Sequence, residues 1–242
     1  LFTYSKRKIF YHRRIMKRIL VFILFAGSLV AQNPNPDKLI KEVKDKFLKV
    51  KDYTADANIK LDIPFFKMPD RNVKIYFKQP DKTHIESKEF TVLPKMGLNL
   101  NPIDAIAGDF APAYLRQDVF DGKKIEVINL TPKSDTAKVR YVKLWIDSQE
   151  KLIRRFEISF INSSNAKADL FYGSQTKMGI PDKIVFHMDF GNVRLPGGMN
   201  PLQRRKEDKK ENKENSGTVT VTYSNFRVNM GIDDKIFTEK KK

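Results

Sequence analysis

A period of two constrains this chain more than any other feature. Ala55, Ala57, Ile59, Leu61 and Ile63 alternate with Asp56, Asn58, Lys60 and Asp62. The same alternation returns in Val73/Ile75/Phe77, Phe156/Ile158/Phe160, Ile184/Phe186/Met188/Phe190 and Val219/Val221/Tyr223. Side chains on a strand point to opposite faces in turn, so such runs bury one face and wet the other, as antiparallel sheets do. The pattern predicts about ten strands, at 53–63, 71–78, 82–92, 114–121, 123–131, 138–147, 152–162, 166–174, 182–194 and 217–229. Hairpin signals such as Asp121-Gly122 join them, and no helical stretch separates the strands after residue 114. This argues against a parallel βαβ plan.

One segment has the other period. Leu39, Val43 and Phe47, with Ile40 and Val50, recur at helical spacing while lysines and acids fill the opposite side. Asn35 can cap this helix and Pro36 can begin it. The expected helix is amphipathic, about four turns long, and ends near Lys51-Asp52.

Two interruptions break the strand pattern. Residues 94–113 carry Met96, Leu98, Leu100, Ile103, Ile106 and Phe110 among glycines and prolines, with Asp104 and Asp109 as the only acids. A short helix is expected over Ile103–Ala107. Such an apolar insertion is either a plug that completes the core or a lid over a cavity. Residues 196–216 run from Pro196-Gly197-Gly198 through Arg204–Lys210 with almost no apolar content, which reads as a flexible charged loop.

At the start of the chain, Met16-Lys17-Arg18 leads into the apolar run Ile19–Val30, with Ala26, Gly27, Ser28 and Ala31 near its end. This is the layout of a secretory signal peptide over 16–31, cleaved after Ala31, with an uncleaved anchor as the other reading. Residues 1–15 read as an upstream extension that the mature protein lacks, leaving 32–242 as one domain. The full chain has 46 Lys/Arg against 29 Asp/Glu; without the seven Lys/Arg of residues 1–31, 39 remain, a net charge of +10. That excess is spread along solvent-facing positions without a nucleic-acid motif, so no nucleic-acid partner is expected. Transient contact with anionic membrane surfaces suits it better.

Signals for chemistry are scarce. Cysteine is absent and histidine occurs only at 12, 84 and 187. No spacing suits a metal, and there is no nucleophile elbow, phosphate loop or dinucleotide fingerprint. The expectation is a protein without metal or cofactor that is not an enzyme.

The order of parts resembles a known family. The clearest stretch is Tyr114–Ser174, where Asp121-Gly122-Lys123-Lys124 precedes Val127–Lys133 (VINLTPK), Val142–Asp147 (VKLWID), Ile153–Ile161 (IRRFEISFI) and a hairpin back through Ala168–Tyr172. With Tyr76-Phe77-Lys78-Gln79-Pro80 and the tail Val228–Asp234 plus Phe237, the chain resembles LolA, the periplasmic outer-membrane lipoprotein carriers. The resemblance implies a mainly β (α+β) fold: one curved antiparallel sheet, an unclosed barrel wrapped round the N-terminal helix and a short helical lid or plug. It implies a periplasmic monomer that takes up lipoprotein acyl chains from an inner-membrane ABC-type release complex and ferries them to an outer-membrane acceptor. On that reading Leu39, Val43, Phe47, Ile59, Leu61, Ile75, Phe77, Met96, Leu98, Ile103, Ile106 and Phe110 line the lipid cavity. The family's arginine before the proline, which latches the lid, is Gln79 here, with Lys78 beside it. Glutamine has neither the charge nor the forked donors of arginine. Three other readings stand beside the carrier: a lipid-binding or sensor domain of the same fold, an integral outer-membrane β-barrel, and a hydrolase of envelope lipids. The leading helix, the single Trp145 and the Lys240-Lys241-Lys242 terminus speak against the barrel, which would need aromatic girdles.

Overall fold

In the computed structural model the Asn35 side chain accepts the Lys38 N–H at 3.0 Å and opens helix α1, Pro36–Phe47. The structure describes residues 33–62, 69–87, 106–161, 165–189 and 216–238. The chain divides into residues 1–33 and 34–242, and the described helices and strands belong to the second unit.

After α1 come β1 (Asp52–Asp62), β2 (Arg71–Lys78), β3 (Lys82–Glu86), β4 (Phe110–Phe120), β5 (Lys123–Pro132), β6 (Val139–Asp147), β7 (Leu152–Phe160) and β8 (Asn165–Phe171). A 3-10 turn at Thr176–Met178 precedes β9 (Lys183–Asp189) and β10 (Ser216–Val228), and a short helix α2 (Lys235–Thr238) closes the series. All ten strands form one antiparallel sheet in the order β3-β2-β1-β10-β9-β8-β7-β6-β5-β4. The sheet is a meander except at one seam, where β1 pairs with β10 from Tyr53↔Val228 to Asp62↔Thr218. Strands β3 and β4 are its two ends and do not pair with each other, so the barrel stays open. The β4–β5 hairpin turns on Asp121 (φ 51°) and Gly122 (φ 73°), a pair of left-handed residues that suits a two-residue connection.

The inner face of the sheet carries α1. Leu39, Ile40, Val43 and Phe47 join Ile59, Ile75, Phe77, Ile128, Leu144, Ile153, Leu170, Ile184 and Val221 in one core, to which every strand contributes a buried or partly buried side chain. The expected mainly β fold, with an unclosed antiparallel sheet around a leading helix, is what the chain adopts.

Three details differ from expectation. Helix α1 is three turns long and ends at Phe47, because the Leu48 and Lys49 backbone closes a turn and the Val50 N–H bonds back to Phe47. The stretch 110–113, expected inside the apolar insertion, is the start of β4, with Pro112 opposite Leu130. A proline removes one ladder donor, and an edge strand can spare it. The third difference is that the sheet is not wet on the whole of its outer face. Ile125, Val127 and Trp145 are buried in a second small cluster, separate from the core around α1, and Phe120 packs against it. Of the other expected features, 94–105 and 196–215 lie outside the described residues, as do the signal segment and the outer ends of the strands predicted at 82–92 and 182–194.

Candidate lipid-binding crevice

The two ends of α1 meet the sheet differently. At its C-terminal end Val43 and Phe47 pack against Leu152, Ile153, Tyr172 and Gly179 and leave only about 10 Å³ of space. Lys46 donates to the Glu150 carbonyl at 2.6 Å, and Lys151 pairs with Glu42 at 2.6 Å. Burial lowers the Lys46 pKa from its usual value. The Phe47 and Phe77 rings lie 5.7 Å apart, and Tyr53 stacks on Phe77 at 5.2 Å.

Toward the N-terminal end of α1 the packing opens. A crevice of about 310 Å³ separates α1 from residues 106–112, lined by Ile40, Ile106, Phe110, Pro112 and Leu130, with Asp37, Lys41, Lys44 and Asp109 at its charged rim. Ile106 and Leu130 are 1% exposed and form the floor. Gly108 lets the Phe110 ring fold back over the segment: a β-carbon there would meet that ring at 2.7 Å.

A larger space of about 760 Å³ lies over the outer face of β1, β2 and β3, lined mainly by Asp56, Asn58, Asp70, Asn72, Lys74, Glu86 and Ser224. Its polar groups bond to one another and to their neighbours, Asn58 to Asn72 at 3.0 Å and Asn225 to Asp56 at 2.8 Å. Both spaces mix polar and apolar lining; the crevice is the candidate site because, unlike the larger space, it lies on the inner face beside α1, over a floor of buried Ile106 and Leu130.

The residues expected to line a cavity divide into three sets. Leu39, Val43, Phe47, Ile59, Ile75 and Phe77 are buried together on the inner face, with Leu61 partly buried beside them. Ile106 and Phe110 stand at the crevice. Met96, Leu98 and Ile103 lie outside the described residues. Leu130 and Lys44 also belong to the crevice, beyond the expected set. The alternation of Ile128 with Leu130 places the leucine on an inner face, whereas Lys44 is one lysine among many and no sequence signal marks it.

Lys78 and Gln79 work at the far side of the sheet. The Gln79 side-chain amide donates to the Val50 carbonyl at 2.7 Å. Lys78 donates to the Ile232 carbonyl and to Asp234, each at 2.9 Å, and Lys82 joins Asp234 at 3.0 Å. These lysines hold the Asp234 carboxyl below its ordinary pKa. Asp52 accepts the N–H groups of Met230 and Gly231 at 2.9 and 3.1 Å, and Asn229 accepts the Lys51 N–H at 2.7 Å. Lys78 thus holds the C-terminal segment to the end of β2 and Gln79 bonds the α1–β1 connection, while Asp52 and Asn229 tie the C-terminal segment to the start of β1. Residues 94–105 of the expected lid lie outside the described residues.

Ionisable groups elsewhere are structural. Burial raises the Asp147 pKa, but the Glu150 N–H and the Arg154 guanidinium more than offset it, and the net shift is downward. Asp169 follows the same pattern with Arg155 and His187. The Tyr223 hydroxyl is buried with no hydrogen-bond partner among the described residues, and burial pushes its pKa far up. Among the described residues no group of three or more His, Asp or Glu is placed to hold a metal. No helix among them is long and apolar enough to cross a membrane.

This arrangement defines a class: an open antiparallel β-barrel that holds a helix against its inner face with a crevice beside it. No protein-family model matches the sequence, and no curated protein does. Solved structures do. A LolA-superfamily protein from Nitrosomonas europaea superimposes with a TM-score of 0.56 at 13% identity, covering 85% of this chain and 98% of that one. A putative outer-membrane lipoprotein-sorting protein domain from Vibrio parahaemolyticus gives 0.57 at 10% identity, with 84% and 97% covered. A DUF1329-family protein from Desulfovibrio piger gives 0.56 at 12% identity, with 84% and 98% covered. The chain therefore has the LolA-like fold, in a divergent form.

Proposed function

We propose that this protein is a periplasmic carrier that shelters the acyl chain of a lipoprotein or other lipid in the crevice beside α1 and ferries it toward the outer membrane. The observation that carries this reading is the crevice between α1 and Ile106–Pro112, which has an apolar floor of Ile106 and Leu130 and is open at a charged rim. Hiding hydrocarbon from water is worth about 0.8 kcal/mol per methylene, so a tail cannot cross an aqueous space unaided, whereas exchange between two apolar surroundings is nearly neutral. A crevice that accepts a chain can therefore return it. Ile40, Ile106, Phe110 and Leu130 meet the tail first. Leu39, Val43, Phe47, Ile59, Leu61, Ile75 and Phe77 form the wall it would follow if α1 lifted. Loading at an inner-membrane ABC-type complex and unloading at an outer-membrane acceptor complete the proposed route, with the protein acting as a monomer and performing no reaction of its own. The sorting-domain likeness supports an extracytoplasmic setting. The Lys78 and Gln79 contacts support one variation, a lipid-binding or sensor domain of the same fold, because among the described residues Lys78 engages the C-terminal segment and Gln79 the end of the α1–β1 connection.

Native mass spectrometry of the protein purified from envelope extracts tests the proposal. Co-purifying lipid or acylated peptide is expected, with Phe110→Asp lowering its occupancy severalfold while the thermal midpoint stays near that of the parent. A parent protein that carries no lipid, and takes none up from vesicles, would sink the reading.

A further inference from the structure

The rim of the crevice says which head group belongs on the tail. Asp37, Ile40, Lys41 and Lys44 share one face of α1, with Ile40 turned to the floor and the three charged residues at the rim. Some of these charges already have partners. Lys41 pairs with Asp45 at 2.5 Å, and Asp109, across the gap, pairs with Lys133 at 2.9 Å. Asp37 lies in the first turn of α1, where the helix end favours a negative charge. Asp37 has no ion-pair partner among the described residues, and of the two rim lysines Lys44 is the one without one. It is half-buried, it lines the crevice, and among the described residues its ammonium has no hydrogen-bond or ion-pair partner. Sheltered positive charge above an apolar floor is complementary to an amphiphile whose head is negative.

Size narrows the guest further. A methylene occupies slightly less than the roughly 30 Å³ share of a water molecule, so 310 Å³ accommodates on the order of ten methylenes. That is one medium-length tail, or the leading part of a longer one, and it is too little for several acyl chains side by side.

We infer that the crevice binds a single-chain amphiphile with an anionic head, a carboxylate or a phosphate monoester, whose charge is met by Lys44. This rests on the crevice being a lipid site and specifies its ligand class.

Calorimetric titration of the full-length protein with four twelve-carbon probes below their micellar concentrations tests it. The probes are laurate, dodecyl phosphate, dodecanol and dodecyltrimethylammonium. Laurate and dodecyl phosphate are expected to bind about fivefold tighter than dodecanol, the size of a half-exposed ion pair. Lys44→Gln should bring the ratio to about one, and Lys44→Glu should shift preference to the cationic probe, while Lys49→Gln, an exposed lysine away from the crevice, should leave it unchanged. A phosphate arm stronger than the carboxylate arm would assign a phosphate head, and the reverse a fatty acid. Equal binding of laurate and dodecanol by the parent overturns the inference and leaves the lipid site standing. An anion preference that survives Lys44→Gln removes Lys44 from the role. Binding of none of the four overturns both readings.

Discussion

Helix α1 is one element with two kinds of contact. Around Val43 and Phe47 the space is closed to about 10 Å³ and braced by Lys46 and Lys151, whereas around Ile40 about 310 Å³ stays open. The same inner face of the same sheet receives both ends. The difference shows that a curved sheet and an amphipathic helix do not by themselves decide whether a core is filled; the side chains at each end do. It also identifies the C-terminal end of α1 as the fixed point about which the N-terminal end would have to swing to admit a larger guest.

Changes at the closed end should cost stability and weaken lipid uptake less than changes at the mouth. Phe47→Ala, which removes a ring that is 5% exposed and packed on Phe77, is expected to lower unfolding free energy by about 3–5 kcal/mol in urea titrations. If it instead abolishes lipid binding in the folded protein, the division of the helix into anchor and mouth is wrong. Asp147→Asn comes next. Its carboxylate is 4% exposed, bonds Arg154 at 3.0 Å, and holds the β6–β7 turn on which Lys46 docks. Breaking such a buried pair costs about 3 kcal/mol. The same group gives a pH dependence with a definite sign. Asp147 and Asp169 have folded pKa values below the ordinary 3.8, so their contribution is complete above that value and is lost as pH falls through the lower, folded values. Thermal midpoints should therefore drop steeply below about pH 4, and the drop should shrink in Asp147→Asn.

Smaller effects sharpen the picture at the open end. Asn35→Ala removes the side chain that accepts the Lys38 N–H and is expected to cost about 1 kcal/mol. Because α1 begins at the crevice, hydrogen exchange should quicken over residues 37–41 more than over 44–47. Uniform quickening along the helix would contradict a fixed C-terminal end. Gly179→Ala, at φ 72°, should cost about 1 kcal/mol through backbone strain without closing any space at the mouth.

Much of this is legible in the sequence, for physical reasons. Alternation exposes the strands because one face of the sheet is buried, and Asn35-Pro36 and Asp121-Gly122 mark a helix start and a hairpin because backbone geometry restricts which residues serve there. Pro112 hides the first turn of β4, since proline signals a break and only an edge position tolerates it. Ile125, Val127 and Trp145 escape detection as a cluster because period two cannot tell a solvated face from one covered by a second group of apolar side chains. The crevice itself leaves the weakest trace: Ile40 and Leu130 carry the same pattern whether they touch a neighbour or border a gap. Tertiary distances, which no local pattern encodes, separate the two.

The seam between β1 and β10 has a temporal consequence. Residues 216–228 are synthesised after the nine other strands, yet they sit between β1–β3 and all the rest. Until they arrive, β1–β3 and β4–β9 are two ribbons with no ladder joining them, and closing so long a chain segment is entropically slow. The sheet of a polypeptide built this way therefore cannot be completed until its last strand has been made.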